Sequence, residues 1–204
     1  MIPVWTPDAA RTESAALTRL MRRSGRQDFD ALRAFALDDM EGYWRDVVAD
    51  LGLHFRQPFR QVMDLGGGVE HARWFDGGAL NFTDTLLAPE GTNDEDIALI
   101  EMSESGARRD LTRAELRREV DAAMSRLAAL GVGEGDRVAM LLPNIAEAAF
   151  VTVATARMGA IIVPLYSAFG PEAIATRINA AGAKVLVSCD GWIRGGKTLR
   201  TADT

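Results

Sequence analysis

The sequence has a single cysteine, Cys189, in 204 residues. No internal disulfide can form, so the fold must rest on packing and hydrogen bonding. One lone thiol also fits a reducing compartment. Histidine is almost as scarce: His54 and His71 are the only two, and neither stands at metal-ligand spacing from other ligating side chains. No apolar run reaches the roughly 18 residues of a membrane span. The opening MIPVWTPDAARTES lacks the basic-then-apolar layout of a secretory signal. The expected location is cytoplasmic, with no membrane partner. Positive charge is in deficit, since 23 Lys and Arg against 29 Asp and Glu leave a net charge of -6. That balance argues against a nucleic-acid partner held by phosphate neutralisation, but it leaves room for a small basic patch of the size one phosphate group needs. No Gly-x-Gly-x-x-Gly follows a strand pattern, which disfavours a nicotinamide-dependent oxidoreductase. A Walker-type phosphate loop is not expected either.

What is present is ordinary globular composition, 48% hydrophobic and 25% charged, enough for a real core. Thr6-Pro7-Asp8 reads as a helix start running to about Arg23, with Gly25 as its stop. Further helices are expected from Asp28 and over Met40–Asp50. Residues 53–95 show no sustained period. A run of that length is expected to wrap over something larger, anchored by Trp74, Phe75, Leu80 and Phe82, with a short helix near Leu80–Leu87. Gly66-Gly67-Gly68 lacks a preceding strand and a following helix start, so it reads as a turn.

Regular patterning returns at Ile97–Met102, a strand that Gly106 turns back on Arg109–Leu111. Thr112 and Glu115 form a capping box for a helix with the apolar stripe Leu116, Val120, Ala123, Leu127 and Leu130. Residues 134–197 then hold three apolar strands, Arg137–Leu142, Ala160–Leu165 and Lys184–Cys189, separated by helices that Asn144 and Pro171 open. This β-α-β-α-β order predicts an α/β fold, a partial doubly wound parallel sheet preceded by a helical, wrapping N-terminal segment. The expected domain limits are 1–93 and 94–204. The last strand is expected to exit into a loop containing Arg194, Gly195, Gly196 and Lys197. Two cations supply charge there, and two glycines let backbone N–H groups approach an anion. On those residues alone, a solvated basic loop is the competing reading.

Four pieces of the sequence carry a family resemblance: Trp74-Phe75-Asp76-Gly77-Gly78-Ala79-Leu80-Asn81; Leu111-Thr112-Arg113-Ala114-Glu115-Leu116; Gly131-Val132 through Gly135-Asp136-Arg137-Val138-Ala139, with Leu142-Pro143-Asn144 and Ala156-Arg157-Met158-Gly159-Ala160; and Phe169-x-Pro171-Glu172-Ala173 with Arg177 and Arg194–Lys197. In this order the chain resembles the N-terminal part of the adenylate-forming acyl-CoA synthetases, the acetyl-CoA synthetase type in particular. Pro3-Val4-Trp5-Thr6-Pro7 is similar to the acetoacetyl-CoA synthetase branch.

The resemblance implies a ligase that uses ATP, CoA and Mg²⁺ in its intact form. A small carboxylate and ATP give an acyl-adenylate and pyrophosphate, and the CoA thiol then displaces AMP. The Thr/Ser/Gly-rich loop and the mobile C-terminal domain of such enzymes have no counterpart here. The resemblance therefore implies a piece that lacks the rest of the enzyme, holds part of the CoA site and has no ligase activity alone. No catalytic residue and no metal ligand is assigned. The family's Arg-x-Gly-(Arg/Lys) loop holds phosphates of CoA, which maps cofactor binding onto Arg194, Gly195, Gly196 and Lys197. The family segment matching Tyr166-Ser167-Ala168-Phe169 passes close to the pantetheine arm, which adds Ala168 and Phe169. Ser167 and Ala168 stand where two glycines are usual, and Lys197 for Arg keeps charge while losing bidentate geometry. The alternative is a stand-alone doubly wound module that binds CoA or a nucleotide. Cys189 reads as a small buried side chain rather than a nucleophile.

Overall fold

A computed structural model describes residues 4–201 of the chain. Pro3 of the Pro3–Pro7 segment lies outside the described residues. The chain divides into two compact units, one ending at Leu80 and the other beginning at Asn81.

In the first unit aspartates start three of the α-helices. Asp8 accepts from the Arg11 N–H ahead of α1 (Ala9–Ser14), Asp28 from Ala31 ahead of α3 (Phe29–Asp38), and Asp39 from Gly42 ahead of α4 (Met40–Asp50). The single helix expected up to Arg23 is two, because α1 ends at Ala15 and α2 covers Ala16–Arg23. Three hydroxyls explain the break. Thr12 donates to the Asp8 carbonyl, Ser14 to that of Arg11 and Thr18 to that of Thr12, competing with the helical ladder where it stops. Asp50, at the end of α4, takes both Nε and Nη2 of Arg19 from α2, at 2.8 and 2.9 Å.

The segment after α4 contains two short antiparallel ladders. β1 (Phe55–Gln57) pairs with β4 (Ala79–Leu80), and β2 (Gln61–Asp64) with β3 (Arg73–Asp76). Strands of two to four residues are too short to show a period, which is why sequence patterning misses them. A chain of ring contacts holds them: Trp44 of α4 meets Trp74 at 5.8 Å, Trp74 meets Phe75, and Phe75 meets Phe55 and Phe59. Phe75 is thus an anchor as expected, whereas Trp74 makes ring contacts but keeps 42% of its surface exposed. Leu80 and Phe82 are about half exposed.

The second unit begins with α5 (Phe82–Leu87), followed by the hairpin of β5 (Ile97–Met102) and β6 (Arg108–Thr112). The predicted capping box is formed: Thr112 Oγ1 accepts the Glu115 N–H, and Glu115 accepts the Thr112 N–H at 2.8 Å. It starts α6 (Arg113–Ala129). Next come β7 (Arg137–Leu141), α7 (Ala146–Arg157), β8 (Ile161–Pro164), α8 (Pro171–Ala181) and β9 (Val185–Ser188). The three strands form a parallel sheet in the order β8-β7-β9, so the chain moves outward from β7 in one direction and then crosses to the other edge.

That reversal puts helices on both faces. Val138, Met140, Val185 and Val187 pack with α6 and α7 in one core, while Ala139, Leu141, Val163 and Leu165 pack with Ile174 and Ile178 of α8 in the other. Alternate side chains of β7 serve the two cores, which is why its sequence shows little polar alternation. One expectation fails locally. Asn144 is not the cap of α7; Ile145 occupies that position with no side-chain bond, and the Ala146 N–H points to Glu101 Oε1 of β5 at 3.4 Å. A carboxylate from a neighbouring strand thus takes the favourable place at the helix N-terminus. No helix among the described residues is long and apolar enough to cross a membrane.

Candidate functional site

The carboxyl ends of parallel strands are where α/β sheets hold ligands, beside the point where chain direction reverses. Here a cleft of about 770 Å³ opens there, lined by Leu142 and Asn144 after β7, Tyr166 and Ser167 after β8, and Trp192 and Arg194 beyond β9. Met102 to Ser105, at the turn of the β5–β6 hairpin, line it as well.

The stretch expected to be a loop is itself regular. β10 (Gly191–Arg194) and β11 (Lys197–Arg200) form an antiparallel hairpin whose two turn residues are Gly195 and Gly196. Their φ values are +58° and +72°. A two-residue turn matching the right-handed twist of its strands needs φ > 0 at both central positions, so the turn alone accounts for two glycines. It also leaves their N–H groups outside the ladder. Both donate to one carboxylate, Gly195 to Oε1 of Glu104 at 3.1 Å and Gly196 to Oε2 at 3.3 Å. Arg194 and Lys197 are direct cross-strand partners and so share a face of the hairpin. Among the described residues neither is in an ion pair. Like charges placed opposite each other are unfavourable unless something negative comes between them.

Residues 191–198 spell Gly-x-x-x-x-Gly-Lys-Thr, so the expectation that the chain has no Walker-type string is wrong as to its letters. A P-loop needs a strand before it and a helix N-terminus after it. This string lies in a hairpin that continues as β11, so the match in letters is not a match in geometry.

The two stretches singled out in sequence meet through Tyr166. Arg194 Nη2 donates to the Tyr166 hydroxyl at 3.3 Å, and the Tyr166 ring contacts that of Phe169 edge-on at 5.6 Å. Phe169 belongs to the core under α8, with the Arg177 guanidinium 4.2 Å from its ring centre. Ala168 is exposed. Glu104 and Trp192 are the residues sequence reasoning did not place, and Tyr166 was named in its segment without this role. Glu104 reaches the turn across 91 positions, and nothing local in its sequence signals that. Cys189 is a free, partly exposed thiol. Among the described residues no group of three or more His, Cys, Asp or Glu could hold a metal ion.

Other motif residues act as braces. Asn81 donates to the Ala156 carbonyl at 2.8 Å, at the end of α7, and accepts from the N–H of Thr83 at the start of α5. Asp136 accepts from Lys184 Nζ at 2.9 Å and from the Gly133 N–H, and these bonds hold its carboxyl below the usual carboxylate range. Arg137 donates to the Ala181 and Gly182 carbonyls that close α8, and Lys184 to the Gly131 carbonyl just after α6.

Two family models match the chain: "Acetyl-coenzyme A synthetase N-terminus" over residues 29–85 and "AMP-binding enzyme" over 88–203. The acetyl-coenzyme A synthetase of Gemmatimonas aurantiaca is 37% identical over 179 residues, which is 85% of this chain and 27% of that protein. The acetoacetyl-coenzyme A synthetase of Rhizobium meliloti is 31% identical over 201 residues, 96% of this chain and 30% of that protein. Among solved structures, acetoacetyl-CoA synthetase from Streptomyces lividans superposes with a TM-score of 0.88 at 31% identity, covering 100% of this chain and 32% of that one. The chain thus spans about a quarter to a third of the length of these relatives. With the AMP-binding model covering more than half of its 204 residues, the chain belongs to the AMP-binding enzyme family.

Proposed function

We propose that this chain is the N-terminal part of an AMP-forming acyl-CoA synthetase, and that it carries one edge of the CoA site without the adenylating machinery. The intact enzyme would join a small carboxylate to CoA at the expense of ATP, which it splits to AMP and pyrophosphate, with Mg²⁺ on the nucleotide phosphates. The observation that carries this reading is the likeness of the whole chain to acetoacetyl-CoA synthetase, of which it covers 32%.

The residues present fit a CoA phosphate. Arg194 and Lys197 supply two cations with no ion-pair partner among the described residues, and the Gly195 and Gly196 N–H groups already hold a carboxylate. Ala168 and Phe169, on the connection from β8 to α8, would lie along the pantetheine arm. A carboxylate, CoA and the remainder of the enzyme are the partners we assign, and the cytoplasm is the compartment. The β8-β7-β9 sheet also has two strands unpaired on their outer edges, with Ile161 and Leu186 about half exposed, as suits a sheet that further chain extends. A stand-alone CoA- or nucleotide-binding module is less well supported, because the relatives are three to four times as long.

The pure chain incubated with ATP, Mg²⁺, CoA and acetate or acetoacetate should give no thioester in a thiol-consumption assay. Thioester formed by this chain alone would overturn the assignment.

A further inference from the structure

The Gly195-Gly196 turn offers two adjacent N–H groups that the hairpin ladder does not use, and the Glu104 carboxylate sits across both. The bonds, at 3.1 and 3.3 Å, are longer than the roughly 2.7–2.9 Å of strong charge-assisted pairs. Glu104 is exposed, in the turn between β5 and β6. Although an anion is seated on the turn, neither Arg194 nor Lys197 comes within ion-pair distance of it. The seat is therefore filled by a planar, singly charged group that leaves the two nearest cations unneutralised. A tetrahedral phosphate has oxygens in more directions and more charge, so it could take the same two N–H groups and also the side chains on either side of them.

We propose that Glu104 is an exchangeable internal occupant of this anion seat, which a phosphate group of the ligand must displace. The inference rests on the CoA-site reading above and adds to it a residue that sets the affinity of that site. It also couples two hairpins: a bound phosphate frees the turn around Ser103–Ser105 from the turn at Gly195–Gly196. Glu104 would thus weaken binding of every anion by the same factor, the cost of its own displacement, and only ligands that gain enough from Arg194 and Lys197 besides the two N–H groups would stay bound.

The test is amide NMR on the 204-residue chain, wild type and Glu104→Gln, titrated separately with CoA, dephospho-CoA and inorganic phosphate. Gln keeps a side-chain acceptor but removes the charge. CoA should shift Gly195 and Gly196 together with Ser103–Ser105 in the wild type. Glu104→Gln should bind it about tenfold tighter, the scale of one or two weak charge-assisted bonds no longer competed for. A response to CoA but not to dephospho-CoA identifies the 3′-phosphate as the displacing group; an equal response to both identifies the diphosphate, and a response to inorganic phosphate shows that the anion alone suffices. If the wild type binds CoA at the turn and Glu104→Gln binds no tighter, Glu104 is a structural tie and the proposal fails while the CoA-site reading stands. If no ligand shifts Gly195 and Gly196 in either protein, both fail. A Glu104→Ala variant that matches Glu104→Gln confirms that lost charge, not the amide, is the cause.

Discussion

Thr155 lies on α7 with no exposed surface, and its hydroxyl has no hydrogen-bond partner among the described residues. An unsatisfied buried hydroxyl costs about 1–3 kcal/mol, and valine has nearly the same shape without it. Thr155→Val should therefore stabilise the second unit by about 1 kcal/mol and raise its Tm by a few degrees in thermal unfolding; a lower Tm would show that the hydroxyl is in use. Asp136 is the opposite case, a polar group fully employed. Lys184 and the Gly133 N–H hold its pKa below the unfolded value. A carboxyl with a depressed folded pKa gives its stabilisation in full above the unfolded value of about 4 and loses it as pH falls through the folded one. Melting temperatures recorded from about pH 6 down to about pH 2 should thus fall more steeply for the wild type than for Asp136→Asn. Parallel curves would mean that the bond to Lys184 contributes nothing in solution.

Elements differ in how far they announce themselves. α6 was legible because its capping box, apolar stripe and terminal glycine all lie within one window of sequence, and each is realised in the fold except at Leu130, which falls on the C-cap and is exposed. The break at Ala15 was not, because three separate hydroxyl-to-carbonyl bonds decide it. The β10–β11 hairpin was hidden for another reason. Its Gly-Gly turn signal was present, but two cations beside the glycines pointed equally to an anion-binding loop. The fold contains both properties at once. Gly191 makes the hairpin testable: a Cβ there would stand 2.5 Å from the Leu199 carbonyl oxygen, which is backbone and cannot yield cheaply. Gly191→Ala should therefore open the hairpin locally. Amides of residues 191–200 should lose hydrogen-exchange protection while those of β7 keep theirs. Unchanged protection in 191–200 would show that the strands can separate at that point without unpairing.

For the whole molecule, the doubly wound plan was readable because β7, β8 and β9 are apolar and helices of adequate length separate them. The site was readable only in part. Arg194 and Lys197 stood out by charge, but Tyr166, which meets Arg194, and Glu104, which meets the glycines between them, come from other elements, and only tertiary structure brings these together. The braces at Asp136, Arg137 and Lys184 were visible as motif letters without a role. They all act at the amino-terminal ends of the parallel strands, where they fasten β7 and the start of β9 to the ends of α6 and α8. The cleft lies at the other ends of the same strands. The sheet is therefore clamped at one end and left open at the other, so loops at the open end can change length, charge or partner without loosening the clamp.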